Sequence, residues 1–359
     1  MVEKKFVEGN EAACWGAVTA GCRHFFGYPI TPQNEVPEWF ARELPRLGGV
    51  FVQSESELAS IAMLYGAGAT GVRVMTSTSS MGWSLMLEGL SHAATAEIPM
   101  VIMLVQRGGP GQGSVQHAQM DYLSATRGGH GGYKIIVLAP AYNQELCDLT
   151  QLAFYLADKY RTPVVVLSDG LIGRVGESIE ICPIDFGPLP TKDWALRGKA
   201  SRDGVRAELI AHRPFIAFLD VLEQLRGKWQ KIADDEVRYH SYQIDDAEIV
   251  LVAYGYTGRV CRDTVDMARA QGYKLGLFRP ISLWPFPYQA INALTEHVST
   301  FVVVEDSNMG GLIEDVKLAV EGKAEVFMVG VSARDDRTTG GTINPDRVLK
   351  EIEQLRSRR

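Results

Sequence analysis

Apolar residues along this chain fall into short unbroken runs separated by longer stretches with helical spacing. In the first half the runs are "GVRVMTSTS", "PMVIMLVQ", "YKIIVLAP" and "TPVVVLSD". Between them lie helix-length segments such as "SESELASIAMLYGAGA", "SLMLEGLSHAATAE" and "NQELCDLTQLAFYLADKY". Continuous β-rich runs signal strands buried on both faces, and helical crossovers between them signal a parallel sheet. The spacing also predicts a helix over Glu11–Phe26, ahead of a proline-rich loop. Near Cys182 the alternation stops. From Asp185 to about Asp246 the chain reads as a loop, "FGPLPTKDWALRGKASRDG", followed by a charged helix, "AELIAHRPFIAFLDVLEQLRGKWQKIADDE". A second alternation then begins, with the runs "AEIVLVAYG", "YKLGLFRPISLWP", "TFVVVEDS" and "AEVFMVGV". The expected fold is therefore α/β: a doubly wound unit over residues 1–184, a connector over 185–246 and a second α/β unit over 247–359.

Composition narrows the partners. A chain of 359 residues has room for more than one domain, and its 46% hydrophobic and 22% charged residues are ordinary for a globular protein. The net charge of −7 comes without any basic block, so nucleic acid is not an expected partner. No run approaches the roughly 20 apolar residues of a membrane helix. The opening "MVEKKFVEGNEAA" has no apolar signal core, which points to the cytoplasm. The five cysteines are scattered without a CxxC pair, so buried reduced thiols are expected, and neither an iron–sulfur nor a metal site within this chain.

Four stretches carry candidate chemistry. In "FGYPITPQNEVPEWF", Pro29 and Pro32 flank Thr31 and hold the backbone extended around it. That is either a stiff turn or a means of presenting one hydroxyl to a ligand. In "QSESELASIAMLYGAGATG", Ser54 reads as a helix N-cap and Glu57 as its capping-box partner three residues on. The competing reading is a functional carboxylate at a helix start. "TSTSSMGWS", with Thr78, Ser79, Ser80 and Gly82, is a strand-to-helix turn where a ligand can approach the backbone or a serine can cap the helix. Finally, Arg107 opens "RGGPGQG" at the end of a strand, where ligands of doubly wound sheets collect. Its guanidinium suits a carboxylate or phosphate, the alternative being a surface arginine beside a flexible loop, and the glycines match neither nucleotide-binding pattern. His130 in "GGHGGY" reads as a glycine-turn residue, and Glu305 and Asp306 as solvated loop acids, the alternative being acids that face an interface. The segment "SDGLIG" lacks the downstream asparagines that would hold Mg²⁺ on a diphosphate.

Taken together, "GNEAACWGAVTAGCRHFFGYPITPQNEVPE", "QSESELASIAMLYGAGATG", "RVMTSTSSMGWSLMLEG", "QRGGPGQG", "GGHGGY", "LAFYLADKYRTPVVVLSDG" and "FRPISLWPFP" resemble the α subunits of the 2-oxoacid:ferredoxin oxidoreductases. The resemblance spans essentially the whole chain. It implies a pyrimidine-type thiamine-diphosphate-binding domain followed by a transketolase C-terminal-like domain. The cofactor would sit against a separate β subunit that brings Mg²⁺ and the diphosphate loop. A γ subunit and a ferredoxin-like subunit would complete the complex, partner subunits would carry [4Fe–4S] clusters, ferredoxin would accept the electrons, and coenzyme A the acyl group.

By the same resemblance, Tyr28, Pro29, Ile30, Glu57, Thr78, Ser79 and Ser80 would line the cofactor. Thr31, Arg107, Gly108 and Gly109 would line the substrate. Glu57 would bond the aminopyrimidine N1′, Thr31 the 2-oxoacid, and Arg107 its carboxylate. Glu55 competes for the glutamate role, and the spacing to "YGA" favours Glu57. The nearest family branches use 2-oxoisovalerate and 2-oxoglutarate, with GGPGQG nearer the former. A second substrate carboxylate would need another cation. "RGGPGQGSVQHAQMD" offers only His117, mostly neutral at pH 7. Arg73, Arg127, Lys134 or the β subunit are the other sources. A branched aliphatic 2-oxoacid is thus expected first, with 2-oxoglutarate, pyruvate or an aryl 2-oxoacid as alternatives. A split-subunit thiamine 2-oxoacid decarboxylase and a non-catalytic scaffold subunit are the competing functions.

Overall fold

The computed structural model describes residues 3–198, 218–332 and 341–357. Strand β1 (Glu3–Glu8), helix α1 (Gly9–Thr19), β2 (His24–Gly27) and α2 (Glu35–Glu43) open the chain. They lead into β3 (Val50–Gln53), α3 (Glu57–Ala69), β4 (Val74–Thr78), α4 (Ser80–Thr95), β5 (Met100–Gln106) and the short α5 (Tyr122–Arg127). Next come β6 (Ile136–Leu138), α6 (Asn143–Tyr160), β7 (Pro163–Asp169), α7 (Gly170–Arg174) and β8 (Gly176–Ile181). Helix α8 (Phe218–Asp235) precedes β9 (Tyr239–Tyr242), β10 (Ile249–Val252), α9 (Gly255–Ala270), β11 (Leu275–Pro280) and β12 (Ser282–Trp284). The last elements are α10 (Tyr288–Leu294), β13 (Thr300–Val304), α11 (Leu312–Val320), β14 (Glu325–Val329) and α12 (Pro345–Ser357).

The first sheet runs β12-β6-β7-β5-β4-β2-β3, and every strand but β12 is parallel to its neighbours. The second runs β14-β13-β10-β11-β9, with only β9 antiparallel. All seven residues of β5 are buried, as an apolar run covered on both faces requires. Val101, Met103 and Val105 pack in the layer with α1, α2 and α6, whereas Ile102 and Leu104 pack in the layer with α3 and α4. The chain is thus an α/β protein with helices on both faces of a parallel sheet.

The spacing-based helix over Asn143–Tyr160 forms with those bounds. The one over Glu11–Phe26 does not: α1 stops at Thr19, Gly21 turns at φ 80°, and the Cys22 amide folds back onto Ala17 O. His24–Gly27 becomes β2, with Phe25 and Phe26 in opposite core layers. The run "YKLGLFRPISLWP" supplies two strands in different sheets: Leu275–Pro280 stays in the second, and Ser282–Trp284 crosses to pair antiparallel with β6. Residues 207–217 of the expected charged helix lie outside the described residues, and Tyr239–Tyr242, within the stretch read as connector, forms the edge strand of the second sheet.

Because β2, β3, β4, β5 and β7 run parallel, the segments that follow them gather along one edge. The chain steps outward from β2 to β3 and then back across β2 to β4. That reversal opens a crevice beyond the strand ends, the usual position of a ligand in such a sheet.

Candidate functional site

Glu57 is the first residue of α3, and its N-cap is Ser56, whose extended backbone (φ −165°, ψ 168°) lets its hydroxyl accept from the Ala59 amide. The capping-box reading is thereby overturned. Ser54 bonds Gly27 O, Ser56 O and the Ser60 hydroxyl instead. With its capping duty gone, the Glu57 carboxylate is only 5% exposed and, among the described residues, takes no hydrogen bond or ion pair. Across from it lies Gly82 in the first turn of α4. A Cβ there would overlap Glu57 Oε1 and Thr78 Oγ1, so glycine is what admits the carboxylate. Thr78 Oγ1 and Ser79 Oγ are buried without partners, and Ser79, though the N-cap of α4, makes no side-chain cap. Buried polar atoms left unpaired are unfavourable unless something else completes them. Ser80 turns at φ 28° and donates to Asp121 Oδ2 at 2.6 Å.

Thr31 and Arg107 meet at this same edge. Arg107 is 5% exposed; its Nη1 donates to Thr31 O at 2.9 Å and its Nη2 to Gln112 O at 3.1 Å. Its Nε is buried and unpartnered, so one edge of the guanidinium remains for an anion. Among the described residues the Thr31 hydroxyl has only a long contact, 3.5 Å, from Asn34 Nδ2. Gln33 holds the loop in place: it is fully buried, donates to Tyr28 O at 3.2 Å and accepts from Ser77 of β4. Tyr28 and Ile30 are half-buried and Pro29 is exposed. Gly108 and Gly109 belong to a small hairpin, where their amides bond Gln116 O and Met120 Sδ respectively. His130 lies away from this edge, against Ser91 of α4.

Several groups here escape detection by pattern. Asp121, pushed up to about 6 by burial, is held by the Ser80 hydroxyl and the Arg107 backbone amide. Asp169 is likewise pushed up to about 6 by burial and caps α7 through the Leu171 and Ile172 amides. Glu305 and Asp306, read as solvated, are both buried. Glu305 accepts from the Ile313 amide at 2.8 Å, and Asp306 meets His117 Nδ1 at 2.6 Å. That bond raises the His117 pKa, so the histidine keeps its proton to higher pH than a free one and is committed to Asp306. Among the described residues, no cluster of His, Cys, Asp or Glu is placed to hold a metal ion.

Residues 15–241 match the family described as "Pyruvate flavodoxin/ferredoxin oxidoreductase, thiamine diP-bdg", and residues 247–346 match "Pyruvate:ferredoxin oxidoreductase core domain II". The chain belongs to the 2-oxoacid:ferredoxin oxidoreductase family. It is 44% identical to the ketoisovalerate oxidoreductase subunit VorB of Methanothermobacter marburgensis, over 98% of this chain and 97% of that one. It is 37% identical to the 2-oxoglutarate synthase subunit KorA of the same organism, over 98% of this chain and 99% of that one. The 2-oxoglutarate:ferredoxin oxidoreductase from Magnetococcus marinus, solved with 2-oxoglutarate, coenzyme A and succinyl-CoA bound, superposes with a TM-score of 0.82 at 26% identity. That match covers 98% of this chain and 65% of the longer Magnetococcus chain. A split-gene transketolase superposes with a TM-score of 0.61 at 13% identity, which shows a shared fold.

The oxidoreductase's crevice fits a thiamine diphosphate pyrimidine on chemical grounds. An aminopyrimidine ring presents both donors and acceptors. Among the described residues Glu57 offers a carboxylate without a donor, Thr78 and Ser79 offer unpaired hydroxyls, and Gly82, lacking a Cβ, lets Glu57 Oε1 and Thr78 Oγ1 lie close against α4.

Proposed function

We propose that this chain is the α subunit of a 2-oxoacid:ferredoxin oxidoreductase, converting a 2-oxoacid and coenzyme A into acyl-CoA and CO₂ while ferredoxin takes up the electrons. The observation that carries this reading is the buried Glu57 carboxylate, unpaired among orphaned hydroxyls. Thiamine diphosphate, when bound, supplies the nucleophilic carbon and the electron sink of the reaction. Glu57 would hold a proton at the aminopyrimidine N1′. Thr78, Ser79 and Ser80 would line that ring, together with the Tyr28–Ile30 backbone. Arg107 would take the substrate carboxylate on its Nε edge, and Thr31 would donate its hydroxyl to the 2-oxoacid. Gly108 and Gly109 would shape the wall beside them.

In this reading residues 1–184 carry the pyrimidine half of the site, 247–359 form the transketolase C-terminal-like part, and 185–246 join them. A β subunit would bring Mg²⁺ and the diphosphate loop. A γ subunit and a ferredoxin-like subunit would complete the assembly, with [4Fe–4S] clusters carried by partner subunits.

A substrate with an uncharged, branched side chain is supported in two ways. Identity is higher to the ketoisovalerate subunit, 44%, than to the 2-oxoglutarate subunit, 37%. The other candidate cations for a second carboxylate are also engaged or remote. Arg73 pairs with Asp158 at 2.8 Å, Arg127 with Glu314 at 3.0 Å and also with Asp315, and His117 is taken by Asp306. Lys134 precedes β6, at the opposite edge of the parallel sheet from the strand ends.

Arg107→Lys in the assembled complex tests the reading. Lysine keeps the charge but loses the fork, so kcat/KM should fall roughly tenfold or more for every 2-oxoacid alike, since all share the carboxylate. A loss confined to one substrate would make Arg107 a reader of the side chain instead.

A further inference from the structure

Between Arg107 and Asp121 the chain leaves β5, turns through a hairpin and returns to the crevice. The second sheet's turns hold that return. Gln119 is 1% exposed, and among the described residues its hydrogen bonds reach across to the segments after β10 and β13. Its Nε2 donates to Tyr254 O at 2.8 Å. Its Oε1 accepts from the Asp306 amide at 3.0 Å and from the Thr257 hydroxyl at 3.0 Å. Its own amide donates to Asp306 O at 2.7 Å. Gly255, at φ 59°, leaves room for this side chain, because a Cβ there would press on Gln119 Nε2 at 3.0 Å. Two residues earlier, His117 binds Asp306.

The anchor is connected to the arginine by a short mechanical path. The hairpin closes on itself through Gly108 and Ser114, and the Gly108 amide also reaches Gln116 O at 3.3 Å. Its orientation is therefore set by whatever fixes residues 117–119. At its tip, Gln112 O accepts from Arg107 Nη2. A shift at Gln119 would thus move the hairpin, then the Gln112 carbonyl, then the guanidinium. We propose that Gln119 is a positioning residue that ties the Arg107 hairpin to the second sheet, so that 2-oxoacid binding depends on how the two sheets are docked. The inference rests on the proposed role of Arg107. A purely space-filling Gln119 would affect stability and nothing else.

The test uses the assembled complex with 2-oxoisovalerate, coenzyme A and a viologen dye. Gln119→Ala should raise KM for the 2-oxoacid roughly tenfold while leaving KM for coenzyme A within about twofold, because only the carboxylate clamp is displaced. Should Gln119→Ala fail to assemble, Gln119→Glu decides. Ionised, it keeps both acceptor contacts but sets a carboxylate oxygen against Tyr254 O in place of the donation; protonated, it regains that donation. Asp169, Asp306 and His117 are the titrating groups around it. Its KM relative to wild type at the same pH should be raised at neutral pH and should approach wild type as the pH falls. An unchanged KM in an assembled variant, or a defect shared equally by coenzyme A, would overturn the proposal. Arg107→Lys run alongside separates the two claims. If it raises the 2-oxoacid KM and the Gln119 variants do not, only the positioning role fails; if it has no effect, the Arg107 reading itself fails.

Discussion

Glu57→Gln should leave the protein folded and the complex nearly inactive. No donor among the described residues depends on this carboxylate, so a neutral isostere orphans nothing there. The first turn of α3 loses one negative charge at its positive end, worth about 0.3–1 kcal/mol. Ser56 keeps the helix capped. Catalysis should fall by roughly 100-fold or more, because the amide cannot exchange a proton with the aminopyrimidine. Calorimetric unfolding beside dye-reduction kinetics checks both halves. Glu55→Gln, exposed just ahead of the α3 cap, is the control and should be mild. Activity within tenfold of wild type for the Glu57 variant would return this residue to a structural role.

Gly82→Ala should have nearly the same effect on catalysis from the opposite wall. Gly82 lies inside α4 with ordinary helical backbone, so alanine is conformationally welcome there and even favoured by about 1 kcal/mol. Its methyl group, however, would occupy the space of Glu57 Oε1 and Thr78 Oγ1. Glu57 Oε1 ends a flexible side chain and would swing aside, whereas Thr78 Oγ1 sits on a stiff β-branched residue fully buried in β4, so a loss of stability should accompany the loss of activity. A displacement of about 1 Å at a reacting group is enough for roughly 100-fold loss of rate. A folded, fully active Gly82→Ala would mean that the position of Glu57 does not matter.

These two residues show how far the sequence alone could be read. Gly82 and Glu57 were both visible as special, but their opposition across the crevice depends on which serine caps α3. The pattern favoured Ser54, because a serine three residues before a glutamate is a common helix start. In the fold Ser54 is drawn instead to Gly27 at the end of β2 and to Ser60. The core strands were legible because both faces of a parallel sheet demand apolar residues, as in β5 and β7. Ser282–Trp284 was not, since nothing local says that a strand will leave its own sheet and join β6. Gln119, Asp121, Glu305 and Asp306 carried no periodic signal at all. Their partners lie far along the chain, as with His117 and Asp306, 189 residues apart, so only the folded chain reveals them.

Steady-state turnover by the purified complex tests the central claim most directly, with 2-oxoisovalerate and 2-oxoglutarate compared in the presence and absence of coenzyme A and a viologen dye as acceptor. The expected result is coenzyme A-dependent dye reduction with a higher kcat/KM for 2-oxoisovalerate. A higher value for 2-oxoglutarate would contradict the substrate assignment, and no coenzyme A-dependent reduction with any 2-oxoacid would contradict the proposed activity itself.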